Sequence, residues 1–309
     1  MSGDGAAGGA GGGDDVDGPV IRLALPKGRM KDKVFDLLKE SGISVELSND
    51  RTYRPKFGLP GYDVKLLKPQ NILGMLHTGT RDVGFGGLDW AQELGLADEI
   101  VEVLDTGMDP VRVVAAAPRA DILEKGSAAT PGNRRVIVAS EYQNLTKEWI
   151  AKRGMDAEFF RAYGATEALP PDDVDLIVDN TATGSTLEAN KLTIVDVVMH
   201  STTRLFASRA AWEVPEKKAR IQELALLLKS VLEARKRVMV TFNVMDGRLP
   251  ALLAELGSDR LPTVSHLKDD AGFAVQLLCL RKESAVLIPK IIAGGGSSVV
   301  VTEVRQFIE

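Results

Sequence analysis

A short run of small and hydroxyl-bearing residues follows one of the apolar segments. Residues 174–190 read VDLIVDNTATGSTLEAN and predict a buried strand that ends in Asp179, then a turn and a helix. Small residues let backbone N–H groups approach an anion, and the start of a helix favours negative charge. A carboxylate at the strand end could accept hydrogen bonds from sugar hydroxyls. The pattern suits a sugar phosphate and, equally, an ordinary capped turn, because Ser and Thr are favoured there in any case.

A basic turn follows the first apolar segment. Residues 25–30 read LPKGRM, which places Lys27, Gly28 and Arg29 just after the strand expected at 21–25. Ligands of open α/β sheets bind at the carboxyl ends of the strands, and two cations around a glycine suit a polyphosphate. Taken alone, the turn is at least as readily a plain basic connection between a strand and a helix.

Two further segments place acids near expected strand ends. Residues 81–90 read RDVGFGGLDW, and their three glycines before Asp89 indicate either close backbone approach or positive φ. Residues 139–149 read ASEYQNLTKEW, where Glu141 either faces the same cleft or lies in solvent. Neither segment is specific by itself.

The sequence offers no nucleophile–base pair and no metal cage. The histidines, His77, His200 and His266, are widely spaced, and the single cysteine, Cys279, excludes an intramolecular disulfide and a cysteine-built zinc site. A reaction that depends on positioning and charge stabilisation needs none of these groups. Their absence is therefore informative, because it is what such a reaction would show.

Composition limits the class of protein. The 309 residues are 44% hydrophobic and 26% charged, which suits two or three globular domains. No apolar run approaches the roughly 20 residues that a membrane span needs. The net charge of -5 argues against a nucleic-acid partner. Residues 1–19 are rich in glycine and predict a disordered tail without a secretory signal, so we expect a cytoplasmic protein, with a plastid location left open.

From residue 20 onward, short apolar runs alternate with amphipathic segments, which is typical of a parallel sheet covered by helices. The first part predicts strands at 21–25, 63–67, 82–85, 99–104 and 111–116, with a helix after the first strand and another at 69–77. A second α/β unit predicts strands at 135–139, 157–161, 176–178 and 204–207, and helices at 145–153 and 187–190. A long helix is expected at about 215–235.

The C-terminal part has a different order of expected strands and helices. The expected elements are a strand at 238–244, a helix at 249–256, strands at 262–267 and 273–280, a helix at 284–293 and a strand at 297–304. This β-α-β-β-α-β order predicts a ferredoxin-like domain, and we place its boundary near Arg237.

Read together and in this order, the segments resemble the ATP phosphoribosyltransferase family, which catalyses the first step of histidine biosynthesis. Members show LPKGR, then DLGITGxD-like, ATEYPNL-like and DLVSTGxTLxxNxL segments. This chain has LPKGRM, DVGFGGLD, ASEYQNL and DNTATGSTLEANKL. Its later segments LPTVSHL and GGGSSVVVTEV resemble the regulatory domain of the family's long form. The resemblance extends from Ile21 to the end.

The resemblance implies two periplasmic-binding-protein-like lobes around a cleft plus a ferredoxin-like regulatory domain. By position, lobe I would comprise 20–115 and 209–236, lobe II 116–208 and the regulatory domain 237–309. The implied reaction joins phosphoribosyl pyrophosphate (PRPP) to N1 of the adenine of ATP. Mg²⁺ would arrive mostly on substrate phosphates, with no metal ligand assigned to the protein. A homo-oligomer, either dimer or hexamer, is expected.

The resemblance also assigns roles by position. The PRPP site would consist of Asp179, Thr181, Ala182, Thr183, Gly184, Ser185 and Thr186. The ATP site would consist of Lys27, Gly28, Arg29, Asp89 and Glu141. The catalytic charges would be Asp179, Lys27, Arg29 and Arg112. Histidine, as a feedback inhibitor, would be bound by Thr241, Thr263, Ser265 and Ser297.

The chain departs from the family pattern at several positions. Gly86 stands where a threonine is usual, Asn180 where an aliphatic residue is usual, and Asn71 where an aspartate is usual. In the C-terminal part, Thr241 and Asn243 are neutral where some long-form members carry an acid. We therefore expect inhibition by histidine to be weakened.

Two alternatives compete with this interpretation. One is a non-catalytic, ligand-sensing paralogue, which would be free to lose the acid and the hydroxyl-rich turn that this chain retains. The other is a phosphoribosyltransferase of the common type, which carries two adjacent acids before its phosphate loop. Here Asn180 occupies the second position, which argues against that type.

Overall fold

The computed structural model describes residues 18–49, 52–257 and 261–309. The tail expected over 1–19 lies outside the described residues except for its last two. The described chain divides into two compact units, residues 18–34 with 43–222 and residues 35–42 with 223–309. No helix within the described ranges is both long enough and apolar enough to cross a membrane.

The first unit alternates strands and helices. Its strands are β1 (Ile21–Pro26), β2 (Val45–Glu46), β3 (Lys56–Phe57), β4 (Tyr62–Leu67), β5 (Val83–Gly87), β6 (Ile100–Ala117), β7 (Val136–Ser140), β8 (Ala157–Arg161), β9 (Leu176–Thr181) and β10 (Thr193–Ser208). Its helices are α1 (Lys31–Glu40), α2 (Pro69–His77), α3 (Leu88–Glu93), α4 (Ile122–Lys125), α5 (Gln143–Lys152), α6 (Ser185–Ala189), α7 (Arg209–Trp212) and α8 (Pro215–Arg235). Helices α1 and α8 continue into the second unit.

One eight-stranded sheet, ordered β4-β1-β5-β10-β6-β9-β7-β8, organises the first unit. Strand β1 is parallel to β4 and β5, and β7 is parallel to β8 and β9. The long strands β6 and β10 are antiparallel to each other and join the two parallel halves. Strands β1 and β5 are buried on both faces, whereas β4 is only partly buried and the edge strand β8 alternates between partly buried and exposed residues. The α/β fold class predicted from the sequence is confirmed.

The long strands differ from the prediction. The segments expected as separate strands at 99–104 and 111–116 form one strand of 18 residues, and the strand expected at 204–207 begins at Thr193. The residues between the expected strands include Gly107 and Pro110, which are turn formers. Pairing with β10 nevertheless carries the backbone through, with register shifts that absorb the irregular residues, among them Asp109 at φ 48. Tertiary pairing overrides the local turn signal.

The second unit contains β11 (Arg237–Val244), α9 (Leu249–Leu256), β12 (Thr263–His266), β13 (Phe273–Leu280), α10 (Ser284–Ala293) and β14 (Gly296–Glu303). The strands form an antiparallel sheet in the order β12-β13-β11-β14. Buried residues alternate along β11, and Phe242 and Val275 pack with Leu252 and Ile291 of the helices. This arrangement confirms the predicted ferredoxin-like fold.

Candidate active site

A cavity of about 530 Å³ lies where β1 and β5 end. Its volume is in the range of small-molecule sites. It is lined by Lys27, Gly28, Arg29, Met30, Lys68, Pro69, Gln70, Gly87, Asp89, Trp90, Asp109, Val111, Tyr142, Ser201, Thr202 and Thr203. Four of the five residues predicted to bind ATP, all but Glu141, therefore meet in one cavity.

Lys27 is held at the edge of this cavity by backbone and side-chain contacts. Its backbone N–H donates to the carbonyl of Leu67 at 2.8 Å, which anchors the turn to the end of β4. Its Nζ lies 3.5 Å from the centre of the Tyr53 ring, a cation–π contact. Gly28 follows with φ 73, a conformation that glycine adopts without strain. The turn thus presents a fixed cation beside exposed backbone.

Asp89 is the buried acid of the cavity, with 6% of its surface exposed. Its Oδ1 accepts a hydrogen bond from Ser201 Oγ at 2.7 Å, and its Oδ2 accepts one from Tyr142 Oη at 2.7 Å. Burial and the charge of Asp89 raise the pKa of Tyr142, so the phenol stays protonated and donates. Two hydroxyl donors therefore fix the orientation of the carboxylate.

The glycines before Asp89 permit close packing rather than positive φ. A Cβ at Gly84 would lie 2.6 Å from Ile72, and one at Gly86 would lie 2.7 Å from Leu73, both on α2. None of the three glycines has a left-handed backbone. Of the two explanations that the sequence left open, close approach of a helix is the correct one.

Asp179 lies near the end of β9, beside other acids. Its Oδ1 accepts a hydrogen bond from the backbone N–H of Asn180 at 2.7 Å. Burial, together with the charges of Glu167 and Glu141, raises its pKa to about 6, although hydrogen bonds from Asn180 and Thr166 act in the opposite direction. Glu141 therefore contributes to the field around Asp179. The structure places Glu141 outside the lining of the 530 Å³ cavity.

The turn after β9 is stabilised from within and presents its hydroxyls outward. Thr181 Oγ1 accepts a hydrogen bond from the N–H of Gly184 at 2.9 Å, and Gly184 has φ 90. The hydroxyls of Thr183 and Ser185 lie 3.0 Å apart on an exposed surface that also includes Ala182 and Thr186. Helix α6 has only five residues, so the loop's hydroxyl and N–H donors matter more for an anion than its dipole.

Arg112 lies on β6, the strand that pairs directly with β9. It is directly opposite Thr181 of β9 in the strand pairing and is partly exposed. A guanidinium there would act on charge developing near the turn.

A hydrogen-bonded chain joins the turn to the cavity. Asn180 Nδ2 donates to Tyr142 Oη at 2.9 Å, and Tyr142 in turn donates to Asp89. The sequence prediction assigned no role to Tyr142, Ser201, Lys68 or Glu167. Tyr142 lies within the quoted ASEYQNL segment, which was its only signal, whereas Ser201 is brought in by β10 from outside every motif.

Helix α5 is capped by a residue from another element. Its own N-cap residue, Tyr142, makes no side-chain cap bond. Instead Glu93 of α3, which is 4% exposed, accepts hydrogen bonds from the N–H groups of Asn144 and Leu145 at 2.9 and 3.0 Å. This cap holds the start of α5, and hence Tyr142, against α3 and Asp89.

The residues predicted to bind histidine share the open face of the C-terminal sheet. Thr241 of β11 pairs with Gln276, which pairs with Thr263, and in the next row Ser265, Ala274, Asn243 and Ser297 lie side by side. Thr263, Ser265 and Ser297 are exposed. Within the described ranges, no three His, Cys, Asp or Glu residues are grouped to hold a metal ion.

Comparison with known proteins identifies the family. The model for ATP phosphoribosyltransferase matches residues 68–230, and the model for the HisG C-terminal domain matches residues 234–306. The ATP phosphoribosyltransferase of Chlorobium luteolum is 33% identical over 94% of this chain and 98% of its own length. That of Desulforudis audaxviator is 36% identical over 91% and 96%. A Thermotoga maritima structure, described as an ATP phosphoribosyl transferase (HisG:HisZ) complex, is 25% identical with a TM-score of 0.59, over 69% of this chain and 99% of that one. The chain belongs to the ATP phosphoribosyltransferase family.

Proposed function

We propose that this chain transfers the phosphoribosyl group of PRPP to N1 of the adenine of ATP, which gives phosphoribosyl-ATP and pyrophosphate. Family membership supports the reaction. The observation that carries it is the pairing of two sites: a nucleotide-sized cavity and an acid-plus-hydroxyl turn joined through Asp89, Tyr142 and Asn180. Neither site alone distinguishes a transferase from a binding protein, but a two-substrate reaction needs both.

PRPP is assigned to the turn after β9. The Asp179 carboxylate would accept hydrogen bonds from the ribose hydroxyls. The 5′-phosphate would lie against the turn from Thr181 to Thr186, whose backbone N–H groups and exposed hydroxyls are the donors that a phosphate requires. A neutral partner for Asp179 suits this role, because a cation there would compete with the sugar.

ATP is assigned to the cavity. Lys27 and Arg29 would meet phosphates, joined by Lys68 on the same lining. Asp89, with both oxygens held by hydroxyl donors, would be the fixed acceptor available to the base.

The chemistry requires one bond exchange. The adenine N1 lone pair forms a bond to ribose C1, the bond from C1 to the pyrophosphate oxygen breaks, and pyrophosphate leaves with that electron pair. The chain's contribution would be to align the two substrates and to stabilise charge, with Lys27 on the lining of the ATP cavity and Arg112 on the strand beside the PRPP turn. Mg²⁺, entering with the substrates, would supply neutralisation of the pyrophosphate.

The same proposal covers assembly and regulation. Oligomer formation and inhibition by histidine at the open sheet face, through Thr241, Thr263, Ser265 and Ser297, fit the C-terminal domain match. Because Thr241 and Asn243 carry no charge, we expect weak inhibition. A histidine titration of turnover tests this: tight inhibition contradicts the expected weakening, and Ser265→Ala should raise the inhibitory concentration further if this face binds histidine.

Purified protein with ATP, PRPP and Mg²⁺ should form the N1-substituted adenine, followed by its near-ultraviolet absorbance. Asp179→Ala should lower the rate at least about a hundredfold, and Lys27→Ala about tenfold or more, because each removes a charge placed for a substrate. Asp172→Ala and Lys56→Ala are matched controls at exposed positions and should keep the wild-type rate.

Absence of product from folded wild type would contradict the proposal and leave the ligand-sensing paralogue as the better description. If Asp179→Ala forms product at the wild-type rate, the assignment as an enzyme stands, but the ribose of PRPP does not bind at Asp179. The single buried cysteine, Cys279, fits action in a reducing compartment such as the cytoplasm.

A further inference from the structure

Asn180 holds two hydrogen bonds that point to different sites. Its backbone N–H donates to Asp179 Oδ1 at 2.7 Å, and its side-chain Nδ2 donates to Tyr142 Oη at 2.9 Å. The first bond needs no particular side chain at position 180, whereas the second needs the amide. A substitution at Asn180 therefore separates the two contacts.

The direction of the side-chain bond is fixed by its neighbours. The Tyr142 phenol has one proton, which it donates in a hydrogen bond to Asp89 Oδ2 at 2.7 Å. The phenol oxygen can then only accept from Asn180, so the amide must present its NH₂ group. Hydrogen bonds in such a chain polarise one another, so the bond from Asn180 strengthens the one from Tyr142 to Asp89.

Tyr142 is also positioned by packing that the cavity shares. Its ring lies 4.9 Å from that of Trp90, centre to centre, and both residues line the cavity. Only 1% of Tyr142 is exposed. A shift of the phenol would therefore displace both the Asp89 carboxylate and the Trp90 ring. These are two groups that a bound base would contact.

We propose that Asn180 is a positioning residue for the nucleotide cavity, acting through Tyr142 on Asp89, although it lies on the strand that carries the ribose-phosphate turn. The inference rests on the proposed assignment of ATP to the cavity. It gives a function to the amide at a position where the family usually has an aliphatic side chain, which could not make this bond.

The test is calorimetric binding of Mg·ATP, without PRPP, to wild type and Asn180→Leu. Leucine keeps the size of the side chain and removes the amide, so the dissociation constant for ATP should rise about three- to tenfold, as expected for one buried neutral hydrogen bond. The dissociation constant for PRPP, measured separately, should stay within about twofold because the backbone bond to Asp179 remains. Asn71→Leu, on the exposed side of α2, is the matched control and should change neither.

A double-mutant cycle with Tyr142→Phe tests the route. In the Tyr142→Phe background the phenol is gone, so Asn180→Leu should have little further effect on ATP binding. Asn180→Ala serves the same cycle if the leucine variant does not fold.

Unchanged ATP binding in Asn180→Leu, an equal or larger loss of PRPP binding, or full additivity with Tyr142→Phe would each overturn the inference. Because binding is measured without turnover, this result is independent of whether phosphoribosyl-ATP is formed. If no nucleotide binds to wild type, the proposed function fails and the inference falls with it.

Discussion

Two aspartates of the same sheet have opposite surroundings. Asp82, just before β5, is 1% exposed and receives Arg22 through its backbone N, Nε and Nη2 at 2.8, 3.1 and 2.7 Å, and Lys217 Nζ at 3.0 Å. Asp179, near the end of β9, accepts hydrogen bonds from the backbone N–H of Asn180 and from Thr166, and has acids as neighbours.

Their pKa values differ accordingly. Burial alone would raise the pKa of Asp82, but the hydrogen bonds from Arg22 and Lys217 outweigh it and hold the pKa below its ordinary value. Burial raises the pKa of Asp179 to about 6, and the charges of Glu167 and Glu141 add to the rise. A buried carboxylate that is paired with cations, as Asp82 is, stabilises the fold. A partly buried carboxylate without a cation beside it, as Asp179 is, costs stability, and such groups are typical of sites where a ligand binds.

Position in the sheet agrees with this division. Asp82 and Arg22 lie at the amino ends of the parallel strands β5 and β1, and Asp179 lies at the carboxyl end of β9. Ligands of such sheets bind at the carboxyl ends. The amino-terminal edge carries the ion pair of Asp82 with Arg22, and the carboxyl edge carries Asp179, the acid proposed to meet the sugar.

Glu93 is a buried acid whose partners are the backbone N–H groups of a helix. After the two aspartates, replacing Glu93 should have the largest effect on stability. Glu93→Ala removes the acceptor for two N–H groups at the start of α5, so the free energy of unfolding should fall by about 2–3 kcal/mol. Urea unfolding measures this. Glu148→Ala, an exposed acid on the same helix, should change stability little, and equal losses would show that the cap has no special role.

Turnover should depend on pH through Asp179. With its pKa near 6, the carboxylate is ionised above pH 6 and becomes protonated below it, so kcat/KM for PRPP should fall about tenfold between pH 7 and pH 5. Asp179→Asn, though slow, should lose this limb of the profile. A profile that stays flat down to pH 5 in wild type would mean that Asp179 is not the group that meets the sugar.

An exposed acid with a lowered pKa should matter least. Arg119 and Lys125 lower the pKa of Asp121, yet all three side chains are partly or largely in solvent. Asp121→Asn should leave the thermal midpoint unchanged within error, because solvent screens surface pairs. A clear loss would show that pairing, rather than burial, determines which acids stabilise this protein.

The sequence predicts the strands and helices well where the local pattern of residues agrees with the tertiary pairing. Helix α2 and helix α8 have the expected bounds, because the helical spacing of their apolar residues is not contradicted. The course of β6 could not be predicted, since Gly107 and Pro110 indicate a turn and only pairing with β10 overrides them.

The site divides in the same way. Lys27 and Asp89 follow strands, Asp179 lies near the end of one, and all three stand in recognisable segments, so their position could be inferred. The contacts that orient them come from distant parts of the chain: Ser201 lies 112 residues from Asp89, and Tyr142 lies 53 residues from it. No local pattern encodes such pairs, because they depend on how β10 and α5 meet α3.

The comparison between the two aspartates is tested most directly by one measurement, the free energy of unfolding of Asp82→Asn and Asp179→Asn at pH 8. For Asp82, whose folded pKa is lowered, the stabilisation is present above its unfolded pKa, so removing the charge should cost about 3 kcal/mol. For Asp179, whose folded pKa is raised, ionisation opposes folding at pH 8, so Asp179→Asn should be more stable than wild type by up to about 3 kcal/mol. Opposite signs are predicted. A loss of stability in both variants would contradict the account, because Asp179 would then be a structural acid like Asp82.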